Sequence, residues 1–337
     1  MIIKIALIGL GNVHKRLLKI IDDKKQRIEN EYDLTFQIVM IADSTGVAVK
    51  EDGYNEKFII DHKAANKSVK DLPDFIEART VHDVLKDLDC QLVFESSPVN
   101  LKTGEPALST VKTALSRGIS VVLANKGPIV MEFSKLHQLA QQNNAGLAYS
   151  ATVCGGLPVL NIAKRDMIGA DISKIRGVFN GTTNFMLDGM LNGMAYDDAL
   201  KEAQERGAAE ADPSLDVEGW DTAFKLVIIA NSMLGANIGL KDVDVNGITN
   251  ITQQQLETEA AKGNTIKLVA SAEDGKYSVK PMVLTKDDFL GQCNGWEMAV
   301  EIHTDIYGIN YHKLWEREPI PTAASMLRDA VNIFNSK

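Results

Sequence analysis

Cysteine is scarce in this chain, and the three present, Cys90, Cys154 and Cys293, lie far apart. They give neither a metal-ligand spacing nor a disulfide framework, which excludes a readable zinc site and a stapled secreted scaffold and points to a reducing cytoplasm. Positive charge is in the minority too. With 36 Lys and Arg against 45 Asp and Glu, the formal charge of −9 argues against nucleic acid or an anionic membrane as the main partner. No stretch approaches the roughly 20 apolar residues of a membrane span. The first apolar run, Ile2 to Ile8, meets Gly9 too soon to be a signal segment. Repeats and low-complexity linkers are missing as well. Small molecules are the expected partners.

What remains is ordinary globular bulk: 337 residues, 45% hydrophobic and 24% charged, enough to bury substantial cores and suggestive of two domains. The first part is repeatedly β-α-β. Ile2–Ile8 reads as a buried strand, and Gly9-Leu-Gly11-Asn-Val-His14 turns directly into a helix from Lys15 to Ile21. Phe36–Ala42 is the next strand, followed by Leu92–Phe94 and Ser120–Ala124, with Thr103 to Ser116 as a crossover. After Ser150 the pattern changes to α+β. A strand from Ile172 to Phe179 feeds Asn180-Gly-Thr-Thr-Asn184 and a helix, a charged helix follows from Ala195 to Arg206, and another starts near Asp216. Val279–Leu284 is a strand, but residues 250 to 310 cannot be ordered in a sheet from sequence. Thr322 to Phe334 is an amphipathic terminal helix able to dock back on the first domain.

A glycine turn between strand and helix brings backbone amides to a pyrophosphate at the helix N-terminus. Here the pattern is incomplete, because His14 stands where a third glycine usually allows close packing of helix on strand. It is a structural variant, a phosphate contact, or a weakening of cofactor binding. Asp43 ends the second strand, where a carboxylate accepts hydrogen bonds from an adenosine ribose and repels a 2′-phosphate. That favours NAD slightly over NADP, since Ser44, Thr45 and Lys50 could accommodate a phosphate. The plainer role for Asp43 is to open an Asp-Ser-Thr-Gly turn.

The segment from Glu210 to Lys225 runs into Leu226-Val-Ile-Ile-Ala230. At helical rotation, Val217, Trp220, Phe224, Val227 and Ile228 cover one side, and Ala223, Leu226 and Ala230 continue round. Glu218, Asp221, Lys225 and Ser232 fall in a narrow polar wedge, so the Asp221–Lys225 pair at i,i+4 is expected to face a shielded cleft. A half-buried ammonium there has an adjustable pKa suited to proton transfer. The plain alternative is a surface pair.

Four motifs now stand in order: Gly9-Leu-Gly-Asn-Val13, Ala124-Asn-Lys-Gly-Pro128, Asn180-Gly-Thr-Thr-Asn-Phe-Met-Leu187 and the Glu210 to Lys225 block. Together they resemble the homoserine dehydrogenase family, which interconverts L-homoserine and L-aspartate 4-semialdehyde with a nicotinamide cofactor in threonine and methionine biosynthesis. The resemblance covers most of the chain and implies the short form without an appended regulatory domain. It implies an α/β fold with a Rossmann-type dinucleotide-binding domain (1–150), an α+β substrate-binding and dimerisation domain (151–312), and a terminal helix (313–337) returning to the first domain. A cytoplasmic homodimer is expected.

Carried onto this sequence, the resemblance makes Lys225 the catalytic lysine, with Asp221 helping to place it. Glu210 would grip the substrate ammonium, with Lys126, Gly181, Thr182 and Asp216 as further substrate contacts and Asp212 shaping the loop. Cofactor contacts are expected at Gly9, Gly11, Asn12, Val13, Asp43, Ser96 and Lys126. The family's monovalent cation, Na+ or K+, would be held by backbone carbonyls of Ser150, Val153, Gly155 and Leu157. Duller roles exist: Lys126 as a cap of a strand turn, and Asn180 to Asn184 as a helix cap. The chain departs from the family at His14, at Ser150 where a glutamate is common, and at Glu316 to Thr322, which lacks the family's glycines. Two competing readings are a thioester-forming dehydrogenase using Cys154 and a catalytically inactive cofactor-binding sensor or assembly protein of the same fold.

Overall fold

The structure, a computed structural model, describes all residues except 207, 208, 210, 211, 317, 318, 336 and 337. Two compact units are present, Met1–Gly155 with Pro319–Lys337, and Gly156–Glu318.

The first unit contains β1 (Ile2–Ile8), β2 (Thr35–Asp43), β3 (Gly46–Tyr54), β4 (Phe75–Ile76), β5 (Leu92–Glu95), β6 (Ser120–Leu123) and β7 (Leu147–Ala148). Its helices are α1 (Asn12–Tyr32), α2 (Glu56–Ala64), α3 (Val81–Leu85), α4 (Ala107–Ser116) and α5 (Gly127–Gln142). The sheet order is β4-β3-β2-β1-β5-β6-β7. β1 pairs in parallel with both β2 and β5, and β5, β6 and β7 continue in parallel. Parallel strands need crossover helices, which cover both faces, and so β1 and β5 are apolar nearly throughout. The chain fills one half of the sheet from β1 to β4 and then returns to β5. That reversal opens a crevice at the carboxyl ends of β1 and β5, the usual ligand position of such sheets.

α1 buries Leu17, Leu18, Ile21 and Ile28 against this sheet, each worth about 1.5–3 kcal/mol of apolar burial. It stops at Asp33, which takes a left-handed conformation (φ 52°) and donates its N–H to the Glu29 carbonyl. The terminal helix, twelfth in the chain, spans Ile320–Asn335 and packs on α1, with Ala323, Met326 and Ala330 fully buried in the same core as Leu17 and Ile21.

The second unit contains β8 (Ile172–Val178), β9 (Val243–Val245), β10 (Asn264–Glu273), β11 (Lys276–Thr285), β12 (Glu297–Thr304) and β13 (Ile309–Trp315), with α6 (Val159–Asn161), α7 (Gly181–Leu191), α8 (Tyr196–Glu205), α9 (Ser214–Val217), α10 (Trp220–Met233) and α11 (Gln253–Ala261). Its sheet runs β13-β12-β8-β10-β11-β9. The order unreadable from sequence thus comes from two hairpins, β10–β11 and β12–β13, that flank the earlier strand β8. α7 and α10 both pack on the sheet through β10.

One expectation needs correction. The helix expected from Asp216 onward is broken at Gly219, which is left-handed (φ 89°) and within 3.3 Å of the Val245 and Val279 methyls at the place of a Cβ. Glu218 therefore lies off the helix, where its carboxylate accepts the Trp220 indole N–H at 3.1 Å. Trp220 is 38% exposed instead of joining the core. Beyond the break, α10 is buried almost all round, from Thr222 to Asn231. Among the described residues, no helix is long and apolar enough to cross a membrane.

Candidate active site

In the second unit, the end of β8 and the first two turns of α10 bring four expected or adjacent residues together. Lys225 and Asp221 are only 13% and 12% exposed, and Lys225 Nζ lies 2.7 Å from Asp221 Oδ2. Lys225 Nζ also donates to the Phe179 carbonyl at 2.6 Å. The pair is therefore shielded, unlike an ordinary helix-surface pair, and its geometry persists because removing either partner would leave a charge in a low-dielectric setting. Asn180, which follows Phe179, donates from Nδ2 to Asp216 Oδ1 at 2.6 Å and to Asp221 Oδ2 at 2.9 Å.

Gly181 and Thr182 open α7, whose N-cap is Asn180: its Oδ1 accepts from Thr183 N at 2.8 Å. A side chain at Gly181 would meet nothing closer than the Trp296 carbonyl at 3.5 Å, so the protein's own packing does not demand glycine there. Asn184 donates to the Gly295 and Glu297 carbonyls and ties α7 to the start of β12. The capping role of this motif is thus realised, alongside contacts that a cap does not need. Asp212 is exposed and accepts from Ser214 N at 3.1 Å, shaping the turn before α9. Glu210 lies outside the described residues.

In the first unit, Gly9, Gly11, Asn12 and Val13 form the turn from β1 into α1. Gly9 has φ 86°, and a Cβ on it would sit 2.6 Å from Ser97 N, so only glycine lets the turn approach the loop after β5. Ser96 completes that approach by donating its hydroxyl to the Gly9 carbonyl at 3.0 Å. Gly11 is different. A Cβ there would meet no atom within 4 Å, so nothing in the protein requires glycine. Gly11 is also the N-cap of α1, which has no side-chain cap and no acidic residue in its first turn. The amides at this helix start, with the partial positive charge of the helix end, suit a pyrophosphate. These residues fit the dinucleotide that the turn implies.

His14 takes the structural role of the three considered. Its ring is fully buried, lies edge-on to Phe94 at 6.4 Å, and neither ring nitrogen makes a hydrogen bond. Burial pushes its pKa down to about 3, against a weak opposing pull from the Gly9 backbone. It is neutral and fills core space between α1 and β5.

Asp43 closes the turn into β3 opposite Gly46. One carboxylate oxygen accepts from Thr45 N and Thr45 Oγ1 at 2.9 and 2.6 Å, and the other from Lys63 Nζ and Val69 N at 3.1 Å each. Burial would raise its pKa, but these bonds from Thr45, Lys63 and Val69 outweigh it and hold the carboxyl below its ordinary value. Four bonds use the acceptor sites a carboxylate offers, so a ribose hydroxyl donating to Asp43 would have to displace or share one of them. Lys50, considered as able to accommodate a phosphate, has its ammonium 5.8 Å from the centre of the Tyr54 ring.

Lys126 is half-buried and begins α5 as its N-cap, one residue after Asn125, whose side chain accepts from Gly127 N at 2.9 Å. Glu95 was missed from sequence, although an acidic residue closing the apolar run of β5 was the available signal. It is wholly buried at the carboxyl end of β5 and accepts from Ser97 N at 2.7 Å. Burial raises its pKa to about 7, opposed by its bonds to Ser97 and Asn125.

Of the four carbonyls read as cation ligands, Ser150 O accepts from Val153 N, Gly155 O from Ser325 Oγ and Leu157 O from Val159 N. Ser150 also donates its N–H and hydroxyl to Asp329 on the terminal helix at 2.9 and 2.8 Å. Cys154 is 1% exposed, a poor setting for a nucleophile that must reach a carbonyl.

A dinucleotide-binding α/β unit combined with an α+β unit carrying a shielded lysine–carboxylate pair defines a nicotinamide-dependent oxidoreductase. Comparison with known proteins narrows this. The family model described as "Homoserine dehydrogenase" matches residues 158–331, and "Homoserine dehydrogenase, NAD binding domain" matches residues 9–150. The homoserine dehydrogenase of Methanocaldococcus jannaschii is 36% identical over 98% of both chains. The NAD(+)-dependent homoserine dehydrogenase of Pseudomonas canavaninivorans is 32% identical over 99% of this chain and 96% of its own. A hyperthermophilic archaeal homoserine dehydrogenase solved in complex with NADPH has a TM-score of 0.84 at 26% identity, covering 98% of this chain and 97% of its own. The chain belongs to the homoserine dehydrogenase family.

Proposed function

We propose that this chain interconverts L-homoserine and L-aspartate 4-semialdehyde in threonine and methionine biosynthesis, with Lys225 as the acid–base group and Asp221 placing it. The observation that carries this reading is the shielded Lys225 ammonium, held by Asp221 at 2.7 Å and the Phe179 carbonyl at 2.6 Å. When bound, the nicotinamide cofactor accepts or supplies the hydride. In the oxidising direction, neutral Lys225 takes the proton of the substrate hydroxyl. In reduction, protonated Lys225 stabilises the developing alkoxide and then gives it a proton. Glu210 is assigned to the substrate ammonium, Lys126 or the Gly181 amide to its carboxylate, and Thr182 and Asp216 as further substrate contacts.

Gly9, Gly11, Asn12, Val13 and Ser96 are assigned to the pyrophosphate turn, with Asp43 and Lys126 as further cofactor contacts. NAD is proposed as slightly preferred because the Asp43 carboxylate repels a 2′-phosphate, a preference narrowed by Lys63 at 3.1 Å. Sodium or potassium is proposed at the carbonyls of Ser150, Val153, Gly155 and Leu157, since a carbonyl with one hydrogen bond keeps a second lone pair. A homodimer is proposed. Its support is the edge strand β13, one face of which exposes Ile309, Tyr311 and Trp315 around Lys313, on a strand whose free edge proteins usually cover. The three cysteines are buried and none is in a disulfide, which supports a cytoplasmic location.

The test is nicotinamide absorbance with L-homoserine at alkaline pH, comparing NAD with NADP and wild type with Lys225→Ala. Turnover that Lys225→Ala abolishes, with cofactor binding kept, supports the reading. Cofactor binding without turnover by the wild type would favour the inactive sensor instead.

A further inference from the structure

We propose that Asn180 is a positioning residue that fixes Asp221, and through it Lys225, for proton transfer. This rests on the roles given above to Lys225 and Asp221.

The amide orientation of Asn180 follows from its neighbours. Oδ1 faces Thr183 N at 2.8 Å, which can only donate, so Nδ2 must face Asp216 Oδ1 at 2.6 Å and Asp221 Oδ2 at 2.9 Å. Asp221 Oδ2 is also the atom beside Lys225 Nζ, 2.7 Å away. One carboxylate oxygen is thus shared between an amide and the lysine. Two adjacent residues at the end of β8 therefore grip both members of the pair, Phe179 through its carbonyl on Lys225 and Asn180 through its amide on Asp221. Asn180 is 5% exposed and Thr183 is fully buried, so the amide is held without competition from bulk water.

Capping alone does not explain asparagine here. Asn, Asp and Ser serve about equally as N-caps, and a negative charge is favoured at a helix start. Only asparagine among them accepts from Thr183 N while offering two N–H donors to Asp216 and Asp221. Aspartate in its place would bring a third carboxylate against two others, and serine would remove the amide donor from Asp221 Oδ2.

The experiment compares Asn180→Ser and Asn180→Asp with wild type for kcat, substrate KM, cofactor Kd and thermal unfolding. The expected result is a kcat loss of about ten-fold or more for Asn180→Ser and a larger loss for Asn180→Asp, with cofactor Kd within about two-fold and substrate KM within about three-fold. Should either variant melt well below wild type, kcat is compared at a temperature at which the thermal melt shows every variant fully folded. In an Asp221→Asn background, Asn180→Ser is expected to cost little more. Wild-type kcat in both single variants, or a full additional loss in the Asp221→Asn background, would overturn the proposal. Lys225→Ala separates the levels: an inactive Lys225→Ala with fully active Asn180 variants sinks this inference alone, whereas an active Lys225→Ala sinks the assignment beneath it.

Discussion

Gly11→Ala adds one methyl at the start of α1, and the structure says what it meets: no protein atom within 4 Å, on a backbone with φ −81° that any L-residue adopts. Alanine is a poorer N-cap than glycine, a loss of about 0.5–1 kcal/mol. It also restricts the unfolded chain, a gain of about 0.4–1 kcal/mol. These offset, so unfolding free energy should stay within about 1 kcal/mol and Tm within about 4 °C. Cofactor binding should not be spared. In the proposed assignment the methyl stands where the backbone meets the pyrophosphate, and loss of one or two charge-assisted amide contacts at about 1.5 kcal/mol each would weaken Kd by about 10- to 100-fold. Calorimetric titration with NAD and NADP, beside a thermal melt, reads both quantities. Gly9→Ala cannot make this separation, because its Cβ would strike Ser97 N. Binding by Gly11→Ala within about two-fold of wild type would refute the placement of the pyrophosphate.

His14, at about 3 against an ordinary 6.5, refuses a proton that the unfolded chain accepts, so its contribution is fully present above the unfolded pKa and is lost as pH falls towards 3. His14→Leu should therefore gain about 2 kcal/mol relative to wild type between about pH 7 and pH 5, read by denaturant unfolding at each pH. Comparing variants is needed because Glu95, raised to about 7, acts in the opposite direction. An unchanged difference would show the ring to be solvated. Lys63→Ala removes the cation beside Asp43 and should lower the NADP-to-NAD ratio of kcat/KM by about five- to ten-fold; an unchanged ratio would remove Lys63 from cofactor choice. Turnover in sodium or potassium salts should exceed that in tetramethylammonium at equal ionic strength, and equal rates would remove the cation from the carbonyls around Val153.

The nucleotide end was legible because its signals are local. A strand, a glycine turn and a helix follow one another between Ile2 and Tyr32, and periodicity carries such a unit. The second sheet was not legible, since β8 lies between β10 and β12, whose pairing partners are about a hundred residues downstream. Helical rotation correctly placed Asp221 and Lys225 on one face, but it carried the helix through Gly219 and sent Trp220 into the core. A positive φ at one glycine leaves no trace in a hydrophobic pattern. Asn180 looked like a cap and is one; that its amide also reaches Asp216 and Asp221 depends on α9, α10 and β8 meeting in space. Glu95 gave a sequence signal that only burial makes meaningful.

The central claim is that the Lys225 amine moves the proton, and chemical rescue tests it most directly. Lys225→Ala, measured for homoserine oxidation with and without small primary amines, should lose about 10²- to 10⁴-fold in kcat and recover in proportion to the free amine added, with cofactor affinity unchanged throughout. Full turnover by Lys225→Ala without any amine would contradict the account.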